Sequence, residues 1–160
     1  MSSISIRPFV PSDRDWVVAA HAELYAREAG FDDSFGVLVA EILDGFMHGH
    51  YPAVERGWIA TDKGVRLGSI FCMRQDAQTA KLRLFQLSAR TRGQGVGHLL
   101  LQTCTDFARS KGYARMVLAT HKSHEAACAL YLRNGWCITA ERAVESFGQA
   151  LIEQEMALTL

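Results

Sequence analysis

A glycine-rich turn, Arg-Gly-Gln-Gly-Val-Gly, spans Arg92 to Gly97, between an apolar strand pattern and an amphipathic helix pattern. The first N–H groups of a helix have no partner within the helix, and the positive end of the helix dipole adds to their attraction for an anion. Glycine has no Cβ to keep an oxyanion from the backbone, and it permits positive φ angles. Together with the charge of Arg92, the turn predicts a site for an anion such as a pyrophosphate.

Two widespread phosphate-binding motifs do not fit this turn. The P-loop pattern G-x-x-x-x-G-K-[ST] is absent, and the Rossmann pattern needs a glycine at position 98, where the chain has His98. The acidic residue that a dinucleotide site needs about 20 positions later is also missing, because the next strand ends at 119–121 with Ala-Thr-His. A strand-to-helix turn that binds no ligand is the remaining alternative.

Other residue types that could do chemistry are scattered along the chain. His121, at the end of a predicted strand, has an ordinary pKa of about 6.5 that suits a general base, although a solvated loop histidine is the alternative. His48-Gly49-His50 has no acidic or cysteine cluster beside it, which favours a helix-end turn over a metal site. Four cysteines lack a C-x-x-C pair and lie mostly in apolar runs, so we expect reduced core thiols: Cys72, Cys104, Cys128 and Cys137.

Hydrophobic periodicity predicts the elements that must position these residues. Ser12 and Asp15 resemble a capping box at the start of the first helix, in which Trp16, Ala20 and Leu24 recur at helical spacing. In the third helix the predicted buried face carries Val96, Leu99, Leu100, Cys104 and Phe107. The predicted helices cover 12–30, 35–49, 96–112 and 125–134, and the predicted strands cover 4–9, 58–61, 65–74, 81–87, 115–120, 136–145 and 151–160.

The resulting order, β-αα-βββ-α-β-α-ββ, predicts an α/β (α+β) fold. We expect a mixed, mostly antiparallel sheet with helices on both faces, because each helix has one apolar stripe to bury. Only the strand-helix-strand unit from residue 81 to 120 requires parallel neighbours. A length of 160 residues suits one domain, 1–160.

Charge and hydropathy exclude several kinds of partner. The formal net charge is zero, with 17 basic and 17 acidic residues, so the long-range field that attracts nucleic acid or anionic lipid is missing. No segment approaches about 18 consecutive apolar residues, and the amino terminus lacks the charged start and apolar stretch of a signal peptide. We therefore expect no nucleic-acid or membrane partner and a cytoplasmic location.

Two segments in register resemble the acyl-CoA motifs of the GNAT superfamily of N-acetyltransferases. Residues 87–97 resemble its Q/R-x-x-G-x-G/A motif, which follows a strand. Residues 127–136 resemble its A-x-x-L-Y-x-x-x-G-F segment, at the distance that the family shows, through Ala127, Leu130, Tyr131, Asn134, Gly135 and Trp136. The predicted element order also matches this fold over nearly the whole chain. Residues 23–28 and 146–148 further resemble GNAT domains that are joined to MarR-type regulators.

The resemblance implies an acyltransferase that moves the acetyl group of acetyl-CoA to a primary amine by direct attack on the thioester. A bulge in the strand before the turn would free the backbone N–H of Leu87 to face the thioester carbonyl. Tyr131 would protonate the departing thiolate, since a phenol with a pKa of about 10 can donate to a thiolate with a pKa of about 8.5. The resemblance places the coenzyme A pyrophosphate on Arg92, Gly93, Gln94, Gly95, Val96, Gly97 and His98.

The general base and the acceptor stay open at this point. The strand before the turn has no carboxylate of the kind that some relatives use, so the candidates are water and four side chains: His121, Glu23, Tyr25 and Glu28. The acceptor is an amine of a small molecule, an amino acid or a protein, and a homodimer is a further expectation from the fold. The alternatives are a non-catalytic acyl-CoA-binding sensor or interaction module and a nucleotide-binding domain unrelated to CoA.

Overall fold

The computed structural model describes residues 3–49 and 51–160, which form seven strands and four helices. The strands are β1 Ile4–Pro8, β2 Arg56–Asp62, β3 Val65–Arg74, β4 Thr79–Leu87, β5 Arg115–His121, β6 Cys137–Ser146 and β7 Gln149–Thr159. The helices are α1 Arg14–Ala29, α2 Ser34–Gly49, α3 Val96–Ser110 and α4 Glu125–Arg133. This order confirms the predicted arrangement. His48 lies in the last turn of α2, and His50 lies outside the described residues.

All seven strands belong to one sheet, in the order β1-β2-β3-β4-β5-β7-β6. Neighbouring strands are antiparallel except for β4 and β5, which are parallel. The predicted mixed, mostly antiparallel sheet is therefore confirmed. The parallel pair is the one that the segment from 81 to 120 required.

Side chains of β3 alternate between two hydrophobic clusters on opposite faces of the sheet. Ile70 and Cys72 belong to the cluster that includes residues of α3 and α4, whereas Phe71 and Met73 belong to the cluster that includes residues of α1 and α2. Successive side chains of a strand point to opposite faces, so both faces are covered by helices as expected.

The buried stripe of α3 differs from the predicted one at one edge. Val96, Leu100 and Cys104 are buried as expected, but Leu99 is 46% exposed. Leu101 is buried instead, so the buried stripe of this helix is displaced from the predicted one at that position. In α1 the predicted helix is confirmed; Val17, His21 and Leu24 are its buried residues, and Trp16 packs against the same cluster.

Three of the four cysteines are buried, as predicted, and all four are free thiols. Cys137 is exposed on β6, where the prediction of a core position is wrong. β6 is the edge strand of the sheet, and most of its residues are exposed. An apolar alternation on an edge strand does not guarantee burial, because no helix has to cover it.

Asp13, not Ser12, organises the start of α1. Its fully buried carboxylate accepts two 2.8 Å hydrogen bonds from Arg7, one of 2.8 Å from Arg66 and one of 2.9 Å from the N–H of Val10. Burial opposes ionisation of this carboxyl, but the bonds from Arg7, Val10 and Arg66 outweigh it and hold the pKa of Asp13 well below its usual range. The carboxylate thus ties β1 and β3 to the beginning of α1.

We expect Asp13→Ala to lower the free energy of unfolding by about 2–3 kcal/mol at neutral pH, because two arginines and one N–H lose their shared acceptor. Urea unfolding followed by the fluorescence of the buried Trp58 measures this change. Asp106→Ala removes an exposed partner of Arg109 and serves as the control, with an expected cost below about 0.5 kcal/mol.

The contribution of Asp13 has a defined pH dependence. Because its pKa is lowered in the folded protein, the contribution is complete above the unfolded-state pKa of about 3.9 and is lost as the pH falls below that value. The stability difference between wild type and Asp13→Ala should therefore shrink toward about pH 2. A difference that stays constant over this range would contradict the role given to the carboxylate.

Candidate active site

β4 and β5 pair only at the start of each strand. Their parallel register runs from Thr79 opposite Arg115 to Lys81 opposite Val117 and then ends. Further along, β4 stays paired with β3, and β5 stays paired with β7. A gap therefore opens in the middle of the sheet, bordered by backbone groups that lack a ladder partner. Such groups are suited to bind an extended ligand that continues the hydrogen-bond pattern.

A bulge in β4 borders this gap. The register with β3 passes from Ser69 opposite Gln86 to Phe71 opposite Arg83, which leaves one extra residue in β4. Leu84 has a φ of 52°, and its carbonyl accepts a 2.8 Å hydrogen bond from the hydroxyl of Ser69. The expected bulge in the strand before the glycine turn is thus present, and Ser69 holds its unusual backbone in place.

The N–H of Leu87 points into the gap. The next residue, Ser88, donates its N–H to the carbonyl of Leu67 at 2.7 Å, on the β3 side. Successive N–H groups of an extended strand point to opposite edges, so the N–H of Leu87 points toward β5. The structure therefore places this predicted donor at the edge where β4 has no strand partner.

The glycine turn leads from β4 into an uncapped helix. Gly93 and Gly95 have φ angles of 81° and 79°, as their residue type predicted. The first helical bond of α3 runs from the N–H of Leu99 to the carbonyl of Gly95, so the N–H groups of 96–98 have no helical acceptor. No side chain caps this end, and the first turn holds no acidic residue. The positive end of α3 is therefore available to an anion.

Gly97 lets α3 approach the gap closely. A Cβ at this position would lie 2.9 Å from Leu87 Cδ1 and 3.4 Å from Leu130 Cδ2. By contrast, nothing lies within 4 Å of a Cβ built on Gly95. Gly95 is thus required for its backbone conformation, whereas Gly97 is required for the packing of α3 against β4 and α4.

Arg92 forms an ion pair with Glu28 of α1, with 2.7 Å between its Nη1 and Glu28 Oε1. Both side chains are partly exposed, and such pairs contribute only about 0–1 kcal/mol, so Arg92 can exchange this partner for another anion at low cost. Glu28 therefore lies beside the turn. Glu23, another candidate base, instead pairs with Arg27 at the exposed surface of α1.

Tyr131 of α4 is buried near the bulged end of β4. Its ring lies 6.1 Å from the Phe85 ring and 5.7 Å from the Trp136 ring, centroid to centroid. Burial raises the pKa of Tyr131 well above its usual value, and the nearby Tyr25 adds to the shift. Among the described residues its hydroxyl has no hydrogen-bond partner, so a protonated donor is available to a ligand.

Tyr25, His121 and His124 form a second group on the α1 side. The Tyr25 ring lies 4.7 Å from the His124 ring, which lies 5.8 Å from the His121 ring. Burial lowers the pKa of both histidines, that of His124 to about 4 with a further contribution from His121, and burial raises the pKa of Tyr25 to about 12. His121 Nδ1 is buried and has no partner among the described residues. All three groups are therefore held in their neutral forms.

An aromatic roof covers this group. Phe31, in the connection between α1 and α2, and Phe35, in the first turn of α2, lie 4.9 Å and 5.0 Å from Phe147, in the turn between β6 and β7. The N–H of Asp32 donates to the Phe147 carbonyl at 2.9 Å. Sequence reasoning did not predict these ring contacts, because a pair of phenylalanines four residues apart does not identify a partner turn more than a hundred residues away.

The sequence profile of the Acetyltransferase (GNAT) family matches residues 22–136, which is most of the chain. The chain belongs to this family. Rat N-acetyltransferase 8 is 34% identical over 89 residues, which cover 52% of this chain and 40% of that protein. N-alpha-acetyltransferase 30 of Schizosaccharomyces pombe is 29% identical over 87 residues, covering 52% of this chain and 58% of that protein. The chain thus spans well under two thirds of the length of these relatives.

Solved structures of acetyltransferases share the fold of this GNAT domain. yncA of Salmonella typhimurium, in a structure with its cofactor acetyl-CoA, has a TM-score of 0.82 and 19% identity, covering 99% of this chain and 95% of that one. The ribosomal-protein-alanine N-acetyltransferase of Brucella melitensis has a TM-score of 0.80 and 17% identity, covering 98% and 99%. Likeness at this level of identity supports the fold alone.

Acetyl-CoA is the cosubstrate of the GNAT family, and the residues of this GNAT domain fit it. The uncapped end of α3 offers unpartnered N–H groups to a pyrophosphate, and the gap beside β4 offers backbone groups to an extended chain. Among residues 3–49 and 51–160, no three histidine, cysteine or acidic side chains cluster as a metal site would require. In the same residues, no helix is long and apolar enough to span a membrane.

We expect Gly97→Ala to destabilise the protein by about 1–3 kcal/mol, because the new methyl group overlaps Leu87. It should also weaken the binding of acetyl-CoA, because α3 must move away from β4. Gly45→Ala in α2 is the matched control: it has open space around its Cβ, and alanine there should stabilise the helix by up to about 1 kcal/mol. Thermal unfolding and calorimetry measure both effects, and equal stability of the two variants would contradict the packing role of Gly97.

Proposed function

We propose that this GNAT domain transfers the acetyl group of acetyl-CoA to a primary amine by direct attack of the amine on the thioester. The observation that carries the proposal is the gap between β4 and β5, which has an uncapped helix end at its mouth and the buried ring of Tyr131 packed near Phe85 of β4, with 6.1 Å between ring centroids. Family membership supports the same activity.

The backbone from Arg92 to His98 holds the pyrophosphate of coenzyme A in this proposal. The N–H groups of Val96, Gly97 and His98 lack helical acceptors, and Gly93 and Gln94 complete the curled segment before them. Arg92 leaves Glu28 to pair with the bound anion. The positive end of α3 adds to the attraction without moving any charged side chain.

Leu87 and Tyr131 act on the reacting thioester. The N–H of Leu87 donates a hydrogen bond to the carbonyl oxygen as negative charge develops there, and a donor of this kind contributes roughly 2.7–4 kcal/mol in enzymes where it has been removed. Tyr131 donates its proton to the departing thiolate. Because burial raises its pKa, the hydroxyl carries its proton when the thioester reacts and can donate a hydrogen bond to the sulfur as negative charge develops there.

His121, directly or through a water molecule, is the base that the geometry favours. Its lowered pKa keeps the imidazole neutral at neutral pH, so a ring nitrogen can accept the proton of an ammonium acceptor. Tyr25 does not suit this role, because burial raises its pKa to about 12. Glu23 pairs with Arg27 at the surface. Glu28 loses Arg92 to the bound anion in this proposal and is therefore the competing candidate for the base.

The acceptor is an amine of a small molecule, an amino acid or a protein. Phe31, Phe35 and Phe147 border its path to His121. The exposed edge strand β6 supports a homodimer, since its outer N–H and carbonyl groups can pair with a second copy of the strand.

A non-catalytic acyl-CoA-binding module is the second candidate. The resemblance of residues 23–28 and 146–148 to GNAT domains joined to MarR-type regulators favours it, as does the sequence of β4, which contains no aspartate or glutamate. Such a module binds acetyl-CoA in calorimetry but releases no free thiol with any amine of a broad panel.

Tyr131→Phe should lower kcat by about 100-fold or more while leaving the KM for acetyl-CoA nearly unchanged, because the hydroxyl acts on the leaving group. Thiol release in the presence of an amine panel measures both constants. Tyr113→Phe is the matched control, since its hydroxyl donates to the Val54 carbonyl at 2.7 Å, at the opposite end of β5. Equal kcat values for wild type and Tyr131→Phe would reject the role of Tyr131.

His121→Gln should lower kcat by about 100-fold and change its pH dependence. Because the pKa of His121 is lowered, wild-type kcat should be constant near neutral pH and fall only as the pH drops through an inflection below about 6.5. That inflection should disappear in the variant. An unchanged profile would assign the proton transfer to water without His121.

A further inference from the structure

A second cavity, of about 430 Å³, lies on the α2 side of the sheet, away from the glycine turn. The second half of α2 forms one wall, and the adjoining ends of β3 and β4 form the other. Lys81 and Arg83, two residues apart on β4, face this cavity together. None of the roles given so far uses either side chain.

Both cations are half-buried, and Glu155 and Glu153 are near enough to raise the pKa of Lys81 without forming an ion pair with it. Among the described residues, neither Lys81 nor Arg83 forms a hydrogen bond or an ion pair, whereas most other arginines of the chain have a carboxylate or hydroxyl partner: Arg7, Arg14, Arg27, Arg66, Arg92, Arg109, Arg115 and Arg142. Burial lowers the pKa of both, and the charge of Arg83 lowers that of Lys81 further. Two adjacent cations that are partly removed from water are stabilised when an anion pairs with them.

The other charged groups of the cavity limit the charge of that anion. Glu55 is buried, and its carboxylate accepts hydrogen bonds from the N–H groups of Tyr51 and Arg74. Glu41 lies at the exposed rim of the cavity. Arg74 also lines the cavity, so three cations and two carboxylates give the lining a formal charge of +1, which suits a singly charged carboxylate.

The cavity and the His121 side of the candidate active site share one face of the sheet, whereas α3 and Tyr131 pack on the other face. Leu84 packs in the cluster of α1 and α2, so the bulge keeps Arg83 and Leu84 on the same face. His121 reaches this face from β5, where it contacts Phe31. Glu153, opposite His121 on β7, is near enough to raise the pKa of both His121 and Lys81. An acidic group therefore lies on the β7 side and a pair of cations on the β4 side.

We propose that Arg83 and Lys81 bind a carboxylate of the acceptor, so that the amine acetylated by this domain belongs to a molecule with a carboxylate several bonds away. This inference rests on the proposed acetyl transfer and specifies its acceptor. Arg83 precedes Phe85 and Leu87 by two and four residues, which corresponds to roughly 7–13 Å along the strand. That span favours ω-amino acids and lysine-like side chains over an α-amino acid of minimal length.

A series of ω-amino acids and their carboxamides tests this assignment. The acceptors are glycine, 4-aminobutyrate and 6-aminohexanoate, each compared with the corresponding amide in kcat/KM. We expect kcat/KM for each longer acid to exceed that for its amide by about tenfold or more, because one charge-assisted hydrogen bond contributes a difference of this size. Arg83→Gln and Lys81→Gln should each reduce that preference without changing the rates with the amides. Equal use of acid and amide by the wild type, or a preference that survives both substitutions, would overturn the proposal.

Arg109→Gln is the matched control, because Arg109 is an exposed residue of α3 with a surface partner. It should keep the preference for acids. Thermal unfolding of each variant confirms that it is folded.

Calorimetry with 6-acetamidohexanoate and 6-acetamidohexanamide adds a measurement that needs no turnover. The acid should bind more tightly than the amide to the wild type, and the two should bind Arg83→Gln with equal affinity. If no amine is acetylated, the proposed function fails, while this comparison still decides whether the cavity binds a carboxylate.

Discussion

The separation of β4 from β5 in the middle of the sheet is the constraint on which the candidate site depends. An unpaired backbone group inside a protein is costly, so a gap of this kind persists only where neighbouring contacts enforce it. Here β4 stays paired with β3 and β5 with β7. The bulge at Leu84, held by Ser69, and the tight packing at Gly97 then fix where the edge of β4 ends and α3 begins.

Burial favours the neutral form of the ionisable side chains on both sides of this gap. It lowers the pKa of His121 and His124 and raises that of Tyr25 and Tyr131. All four groups are consequently neutral before the acceptor and the thioester react. The positive potential comes instead from the backbone of α3 and from Arg92, at the mouth of the gap.

Residue type and hydrophobic periodicity predicted the features that depend on neighbouring residues in the sequence. The positive φ angles of Gly93 and Gly95 and the order of the elements follow from residue type and periodicity. The sequence did not predict that Asp13 rather than Ser12 holds the start of α1, because its partners Arg7 and Arg66 meet only in the folded sheet. The aromatic roof over His121 escaped prediction for the same reason.

The roof also separates the site into halves that form at different times. The family motifs on the cofactor side lie between residues 87 and 136. On the acceptor side, by contrast, the Gln149 side chain donates a hydrogen bond to the carbonyl of Gly30, which lies 119 residues earlier in the chain. Contacts between such distant segments close late, since the entropy of a long loop must be lost first. The glycine turn that faces the cofactor is therefore built by local contacts, whereas the surface that selects an acceptor is complete only when the hairpin of β6 and β7 has docked. Changes in this hairpin can alter acceptor selection while the turn keeps its geometry.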